Sequence, residues 1–126
     1  MRAALLAAFL ALPLPALAQD APAAAPQRVE IRLSNFSFAP RALALTAGRP
    51  VTLHLVNNGG GGHNFSAPQF FAASIAVSGP VVEGAVEVPG HQSVDITLTP
   101  SPGSYRLRCT HTMHSTMGMR GTITVE

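Results

Sequence analysis

The sequence is poor in the residue types that mark nucleic-acid-binding and disulfide-linked proteins. It contains no lysine, no tryptophan and a single cysteine, Cys109, and charged residues make up only 11% of its 126 positions. The chain has eight arginines and six acidic residues. The net charge of +2 is too small, and the arginines are too scattered along the sequence, for a nucleic-acid-binding protein. A single cysteine excludes an intramolecular disulfide. The length suits one compact domain.

The N-terminus has the layout of a signal peptide. Arg2 precedes an apolar run over residues 3–14, and the small-residue tripeptide at 16–18 is followed by polar residues. A membrane anchor is the competing interpretation, but prolines interrupt the run, which is shorter than the roughly 20 residues that span a bilayer. No other segment is apolar enough to span a membrane.

This layout predicts three parts of the chain. We expect residues 1–18 to be a signal peptide cleaved after Ala18, which directs the protein to the periplasm. Residues 19–28 are expected to be a flexible tether rich in alanine and proline, and residues 29–126 to be the folded domain. Export makes Cys109 unusual, because thiols oxidise outside the cytoplasm. It is then a buried inert thiol, a thiol paired with a second chain, or a thiolate held by a metal.

From residue 29 onward, apolar and polar residues alternate with period two, which is typical of half-buried strands. The alternating segments are VEIRL, RALALT, VTLHLV, VDITLT, YRLRC and TITV. Short strands separated by Gly- and Pro-rich turns predict an all-β fold, an antiparallel β-sandwich with Greek-key connections. Residues 69–77 are expected to form either one short helix, with Phe70 and Phe71 facing inward, or an irregular loop.

The alternation places Cys109 on the inner face at the end of a strand, beside two loops. One loop, NNGGGGHNF, contributes His63 next to glycines that allow close backbone approach. The other supplies a thiol, imidazoles and thioethers within eleven residues: Cys109, His111, Met113, His114, Met117 and Met119. These groups suit copper, because sulfur ligands prefer Cu(I) and imidazole binds both oxidation states. One histidine from each loop, the cysteine and a weakly bound methionine would form a His2Cys copper site.

The ligand types leave some choices open. His114 competes with His111, which lies close along the chain to Cys109 and is expected to face outward. Met119 competes with Met117, because a weak axial bond tolerates a shift of two residues.

These motifs resemble those of the cupredoxin family, the small blue-copper proteins. The resemblance rests on NNGGGGHNF, on YRLRCTHTMHSTMGMRGTITVE and on the upstream FSFAPRALALTAGRPVTLHLVNN. It implies a cupredoxin-like Greek-key sandwich whose copper ligands are His63, Cys109, His114 and Met119, with Met117 as the alternative axial ligand. It also implies that Asn64 hydrogen-bonds Thr110 and holds the two loops at a fixed separation. Phe36, Phe38, Phe65 and Tyr105 are expected to fill the core.

The resemblance also implies a function. We expect a one-electron carrier with one copper ion cycling between Cu(I) and Cu(II), and not an enzyme, since no open coordination position is evident. Redox protein partners are expected to bind weakly through an apolar patch around His114, formed by residues 59–62, Met113 and Met117. The chain is expected to be a monomer that binds no nucleic acid and does not span a membrane.

The sequence also fits two other functions. A periplasmic copper carrier or chaperone is favoured by His111, Met113 and Met117, which exceed the four ligands that one site needs. A structural or interaction module would contain Cys109 as a buried, metal-free thiol.

Overall fold

The computed structural model describes residues 12–17, 25–112, 114 and 116–126. Most of the predicted signal peptide, including the cleavage position at Ala18, lies outside these residues, as does Met113. Residues 12–17 form no regular secondary structure. Within the described part of the chain, no helix has both the length and the hydrophobicity needed to cross a bilayer.

The fold is built from two five-stranded sheets and one short helix in the described residues. The elements in chain order are β1 (Gln27–Ser34), β2 (Ser37–Ala39), β3 (Ala42–Leu45), β4 (Val51–Asn57), β5 (His63–Ser66), α1 (Pro68–Ala73), β6 (Ile75–Ser78), β7 (Ala85–Val88), β8 (Ser93–Thr99), β9 (Gly103–Arg108) and β10 (Arg120–Val125). The first sheet has the order β2-β1-β4-β8-β6, and the second has the order β3-β10-β9-β5-β7.

Alternating side chains of both sheets meet in one core, as the period-two pattern predicts. In β4, Val51, Leu53 and Leu55 are buried, while the residues between them are partly exposed. Ile96 and Leu98 of β8 face them across the strand pair and are also buried. The predicted β-sandwich is therefore confirmed.

The pairing is not antiparallel throughout. Strand β1 runs parallel to β4, and β3 runs parallel to β10, whereas the other six pairs are antiparallel. The chain leaves the first sheet after β2, contributes β3 to the second sheet and returns as β4 beside β1. A connection that crosses between layers can bring a strand back in the same direction, which a hairpin cannot do.

Strand β1 begins before the alternating pattern does. Gln27 and Arg28 pair with Val51 and Thr52, so the last two residues of segment 19–28 belong to the sheet. Backbone pairing needs no apolar side chain, which is why the composition of this segment does not reveal it.

Residues 69–77, which the sequence predicts as either a short helix or an irregular loop, lie partly in a helix and partly in a strand. Helix α1 covers Pro68–Ala73, where proline is tolerated because the first-turn N–H groups have no helical partner. Its Phe70 and Phe71 are buried, as expected for the helical alternative. The helix ends at Ser74, and residues Ile75–Ser78 form the exposed edge strand β6.

Candidate metal centre

Cys109 lies one residue beyond β9, where the alternation predicts an inward side chain. It is completely buried. Its N–H donates to the carbonyl of Met119 at 3.1 Å, and this bond extends the β9–β10 pairing by one step. The cysteine is thus fixed by the sheet at the pole where the loops meet.

His63 is the first residue of β5 and is 2% exposed. The glycine-rich loop before it is held by Asn57, whose side-chain amide donates to the carbonyls of Gly61 at 2.8 Å and Val88 at 3.0 Å. The Asn57 carbonyl oxygen accepts from the N–H of Gly59 at 3.0 Å. The buried Asn57 side chain therefore holds the loop that positions His63 through both its NH2 group and its carbonyl oxygen.

The same loop packs directly against the turn that contains Gly90. A Cβ at Gly90 would overlap the backbone of Gly60, whereas a Cβ at Gly61 would meet no atom within 4 Å. Close backbone approach therefore requires glycine at position 90.

Three donor atoms converge at this pole. His63 Nδ1 lies 3.1 Å from His114 Nδ1, and Cys109 Sγ lies 3.4 Å from His114 Nδ1. The three residues form the one cluster of potential metal ligands found among the described residues, with their donor atoms within 4.8 Å of one another. Metal–nitrogen bonds of about 2.0 Å and a metal–sulfur bond of about 2.3 Å can bridge the 3.1 and 3.4 Å separations. The mixed thiolate and imidazole set fits copper.

The protonation of His63 also suits a metal ligand. Burial lowers the pKa of His63, and positive charge on His114 and His111 would lower it further. The neutral imidazole, which is the metal-binding form, is therefore favoured. The His63 Nε2 atom is buried and has no hydrogen-bond partner among the described residues. The donor cluster is formed by the other ring nitrogen, Nδ1, which lies 3.1 Å from His114 Nδ1.

Asn64 connects the two loops through its side chain. Its Nδ2 donates to Thr110 Oγ1 at 2.6 Å and to Glu87 Oε1 at 2.9 Å, while its Oδ1 accepts from the Thr110 N–H at 2.8 Å. The Asn64 backbone N–H also points at Cys109 Sγ, at 3.5 Å. The structure thus brings together the pair that the resemblance implied, and one backbone donor faces the sulfur.

The two candidate axial methionines differ in burial. Met119 is completely buried, and its N–H donates to the carbonyl of His114 at 2.9 Å. Met117 leaves 57% of its surface exposed. The backbone therefore holds Met119 close to the donor cluster.

The environments of two residues near the site differ from what the sequence predicts. His111, expected to face outward, bonds through Nε2 to Glu87 Oε2 at 2.8 Å and is only partly exposed. Burial raises the pKa of Glu87, but the hydrogen bonds with Asn64 and His111 outweigh it and lower the pKa overall. Glu87 is 24 residues from His111, and only the β5–β7 register brings it beside Asn64.

Phe36 is the second of these residues, because the sequence predicts it in the core. It is 39% exposed, and its ring meets the His114 ring edge-on at a centroid distance of 5.3 Å. Phe36 has a positive φ of 59°, which turns its side chain out of the strand alternation. It therefore belongs to the surface around His114.

Comparison with known proteins agrees with this architecture. The chain matches the cupredoxin-like domain family over residues 3–125. No curated protein sequence gives a significant match. Among solved structures the chain is similar to auracyanin B, with 31% identity, a TM-score of 0.62, and coverage of 82% of this chain and 91% of that one.

Two further auracyanin structures share the fold at 22% identity and a TM-score of 0.62. One is dithionite-reduced auracyanin of the photosynthetic bacterium Roseiflexus castenholzii, where the match covers 82% of this chain and 99% of that one. The other is auracyanin A, described as a blue copper protein of the green thermophilic bacterium Chloroflexus aurantiacus, with coverage of 81% and 100%. The family match spans nearly the whole sequence, and the sandwich carries the donor cluster at one pole. The chain therefore belongs to the cupredoxin-like domain family.

Proposed function

We propose that His63, Cys109 and His114 would hold one copper ion, with Met119 as a weakly bound fourth ligand, and that the protein is a one-electron carrier and not an enzyme. The observation that carries this proposal is the convergence of one buried thiol and two imidazoles within 4.8 Å. A bound copper ion would supply reversible one-electron chemistry between Cu(I) and Cu(II). The likeness to structures described as auracyanins, one of them a blue copper protein, supports the same function.

The protein's contribution is a scaffold that holds the ligands still. Cys109 is fixed by the extension of the β9–β10 pairing, and His63 by the first position of β5. Asn64 ties these two segments together. Ligands held by a rigid scaffold keep the same arrangement in both oxidation states, which minimises reorganisation during electron transfer. Burial of the sulfur keeps water and oxidants away from it.

Electrons would pass through His114, the most exposed of the three donors. Its ring packs against Phe36. We propose that the exposed Met117 and the glycines at 59–62 extend this contact into an apolar surface. A small apolar surface suits brief, weak binding of redox proteins. We propose that the protein acts as a monomer at this surface.

The periplasm is the proposed location, on the basis of the signal-peptide layout of residues 1–18. Mass spectrometry of the protein isolated from its native host tests this proposal. A mature N-terminus at Gln19 is expected, whereas a full-length chain in the cytoplasm would contradict it.

Redox cycling separates an electron carrier from a copper chaperone. Metal-free protein is loaded with Cu(II), reduced with ascorbate and reoxidised, while the visible absorption is recorded. An intense sulfur-to-copper band that bleaches and returns without loss of metal supports the carrier. Rapid transfer of copper to a chelator, without such a band, would instead favour the chaperone. His54→Ala, which removes an imidazole remote from the donor cluster, is the matched control and is expected to behave as the natural protein.

A further inference from the structure

The outward faces of the two sheets differ in how their charges are paired. On the first sheet, Arg28 bonds to Asp95 at 3.2 Å and Arg32 bonds to Glu30 at 2.7 Å. His54 shares the Asp95 carboxylate at 2.6 Å. Charges on this face are therefore balanced locally.

The second sheet presents arginines without acidic partners. Arg106 and Arg108 of β9 and Arg120 of β10 are exposed, and no carboxylate of a described residue lies within 4.0 Å of any of them. Arg108 and Arg120 stand directly opposite each other in the strand register. Like charges in that position destabilise a sheet, so the fold itself gains nothing from this pair.

The acidic groups near this face are placed elsewhere. Glu83 and Glu87 line a neighbouring groove, which shares Ser66, Pro68 and Arg108 with the groove described below, but neither carboxylate comes within 4.0 Å of Arg108. The Glu87 carboxylate is held by Asn64 and His111. No carboxylate in the described part of the chain pairs with the three guanidinium groups, so they can bind a ligand from outside.

The arginines border a groove of about 640 Å³ between helix α1 and the face of β9 and β10. Ser66 and Gln69 add a hydroxyl and an amide to its lining. Guanidinium forks match the geometry of carboxylates, which they bind through paired hydrogen bonds. The chemistry of the groove thus fits a surface that presents several carboxylates.

The groove begins beside the donor cluster. Arg108 immediately precedes Cys109, and Arg120 immediately follows Met119. Neighbouring Cα atoms are about 3.8 Å apart, so a partner that contacts these arginines comes close to the proposed copper site.

The number of charges favours a protein over other anionic partners. Polybasic recognition of anionic lipids usually requires four to eight basic residues, and nucleic-acid-binding domains are strongly basic overall. Three arginines line the groove, and the net charge of the chain is only +2. Charges grouped on one face steer and orient a weakly bound protein of opposite charge.

We propose that the arginine groove formed by Arg106, Arg108 and Arg120 binds an acidic surface of the protein's redox partner. The proposal rests on the proposed electron-carrier function for the identity of the partner, but the binding itself needs no copper. The groove would orient the partner electrostatically, while the apolar surface around His114 makes the contact for electron transfer.

Binding is tested by NMR titration of the isotope-labelled, metal-free protein with a hexaglutamate peptide. Chemical-shift changes are expected along β9, β10 and α1. The affinity for the peptide is expected to fall at least about tenfold when salt is added, because salt shortens the distance over which charges attract. The triple variant Arg106→Gln, Arg108→Gln, Arg120→Gln should weaken binding by at least about tenfold.

The matched control is the triple variant Arg28→Gln, Arg32→Gln, Arg49→Gln, which removes the same net charge from other surfaces. Its affinity should change less than about threefold. Equal weakening in both triple variants would overturn the proposal, because net charge alone would explain it. Binding to anionic lipid vesicles without binding to the peptide would also overturn it.

A second measurement separates this surface from the copper function. Oxidation of the copper-loaded, reduced protein by anionic hexacyanoferrate(III) is expected to slow in the groove variant and not in the control variant. Peptide binding without a redox-active copper would refute the electron-carrier function and leave the acidic-ligand groove standing. Unchanged oxidation rates in the groove variant would overturn the role of the groove in electron transfer.

Discussion

Removal of the Asn64 side chain should destabilise the protein more than removal of any exposed asparagine. The side chain is nearly fully buried and makes three hydrogen bonds, two with Thr110 and one with Glu87. It is the direct side-chain link between the His63 strand and the residue after Cys109. Asn64→Ala therefore tests whether the loops are held together by this amide.

The expected loss follows from the individual bonds. Each bond with Thr110 contributes about 1 kcal/mol, which is typical of neutral hydrogen bonds. The bond with Glu87 contributes at most about 1 kcal/mol, because the side chain of Glu87 is 65% exposed and water screens its charge. Asn64→Ala should thus lower the free energy of unfolding by about 2 to 3 kcal/mol. In a domain of this size the corresponding fall in Tm is on the order of 10 to 20 °C.

Urea unfolding of the metal-free protein, followed by circular dichroism, measures this loss without any contribution from a bound ion. Asn58→Ala is the control, because Asn58 is the exposed neighbour in the same glycine-rich loop. Its effect should stay within about 0.5 kcal/mol. Equal effects of the two variants, or a loss below about 1 kcal/mol for Asn64→Ala, would refute the reasoning.

Three further predictions concern the axial ligand, the glycine contact and the pH dependence of stability. Met119→Ala should destabilise the metal-free protein by about 2 to 5 kcal/mol and shift the visible spectrum of the copper form, whereas Met117→Ala should do neither. Gly90→Ala forces a Cβ against the glycine-rich loop and should lower copper affinity, measured by chelator competition, by about tenfold. The hydrogen bond with His54 lowers the pKa of Asp95 below 3.8, so Asp95→Asn should cost at most about 1 kcal/mol in urea unfolding at neutral pH.

Each of these predictions has its own contrary result. A spectral change in the Met117 variant alone would make Met117 the axial ligand. Gly61→Ala adds a Cβ that meets no atom within 4 Å and should leave copper affinity unchanged. An equal loss of copper affinity in Gly61→Ala would show that the contact between Gly90 and the Gly60 backbone is not the cause. The stability contributed by Asp95 is present above its ordinary pKa and is lost as the pH falls through its folded-state pKa. An Asp95→Asn effect that grew in acid would contradict this sign.

Local patterns in the sequence predict most of the sandwich and the donor cluster. Alternation alone places Leu53, Leu55 and Cys109 on the inner face, because a strand's side chains point to opposite faces in turn. It cannot reveal that β1 and β4 run parallel, since direction depends on how the chain crosses between sheets. The sequence does not predict the edge strand β6 for a different reason. All four of its residues are exposed, so no alternation of apolar and polar residues marks it.

The surroundings of the donor cluster are less predictable than its members. Residue types suitable for copper identify Cys109 and the histidines directly, because few other structures need thiol, imidazole and thioether together. The contact between Glu87 and His111 depends instead on the β5–β7 register, and no local motif encodes it. Phe36 lies outside the core because its positive φ breaks the alternation of the strand. The apolar character of the residue alone does not indicate this conformation.

The central claim is that Cys109 and the two histidines hold one copper ion, and stepwise addition of Cu(II) to the metal-free mature protein tests it most directly. We predict an intense sulfur-to-copper absorption band that saturates at a single equivalent of copper and is lost in Cys109→Ser and His114→Ala. His111→Ala should retain the band. In the copper-loaded protein Cys109 should also be unreactive toward thiol reagents. A Cys109→Ser variant that binds copper with the same spectrum and affinity as the natural protein would contradict the account.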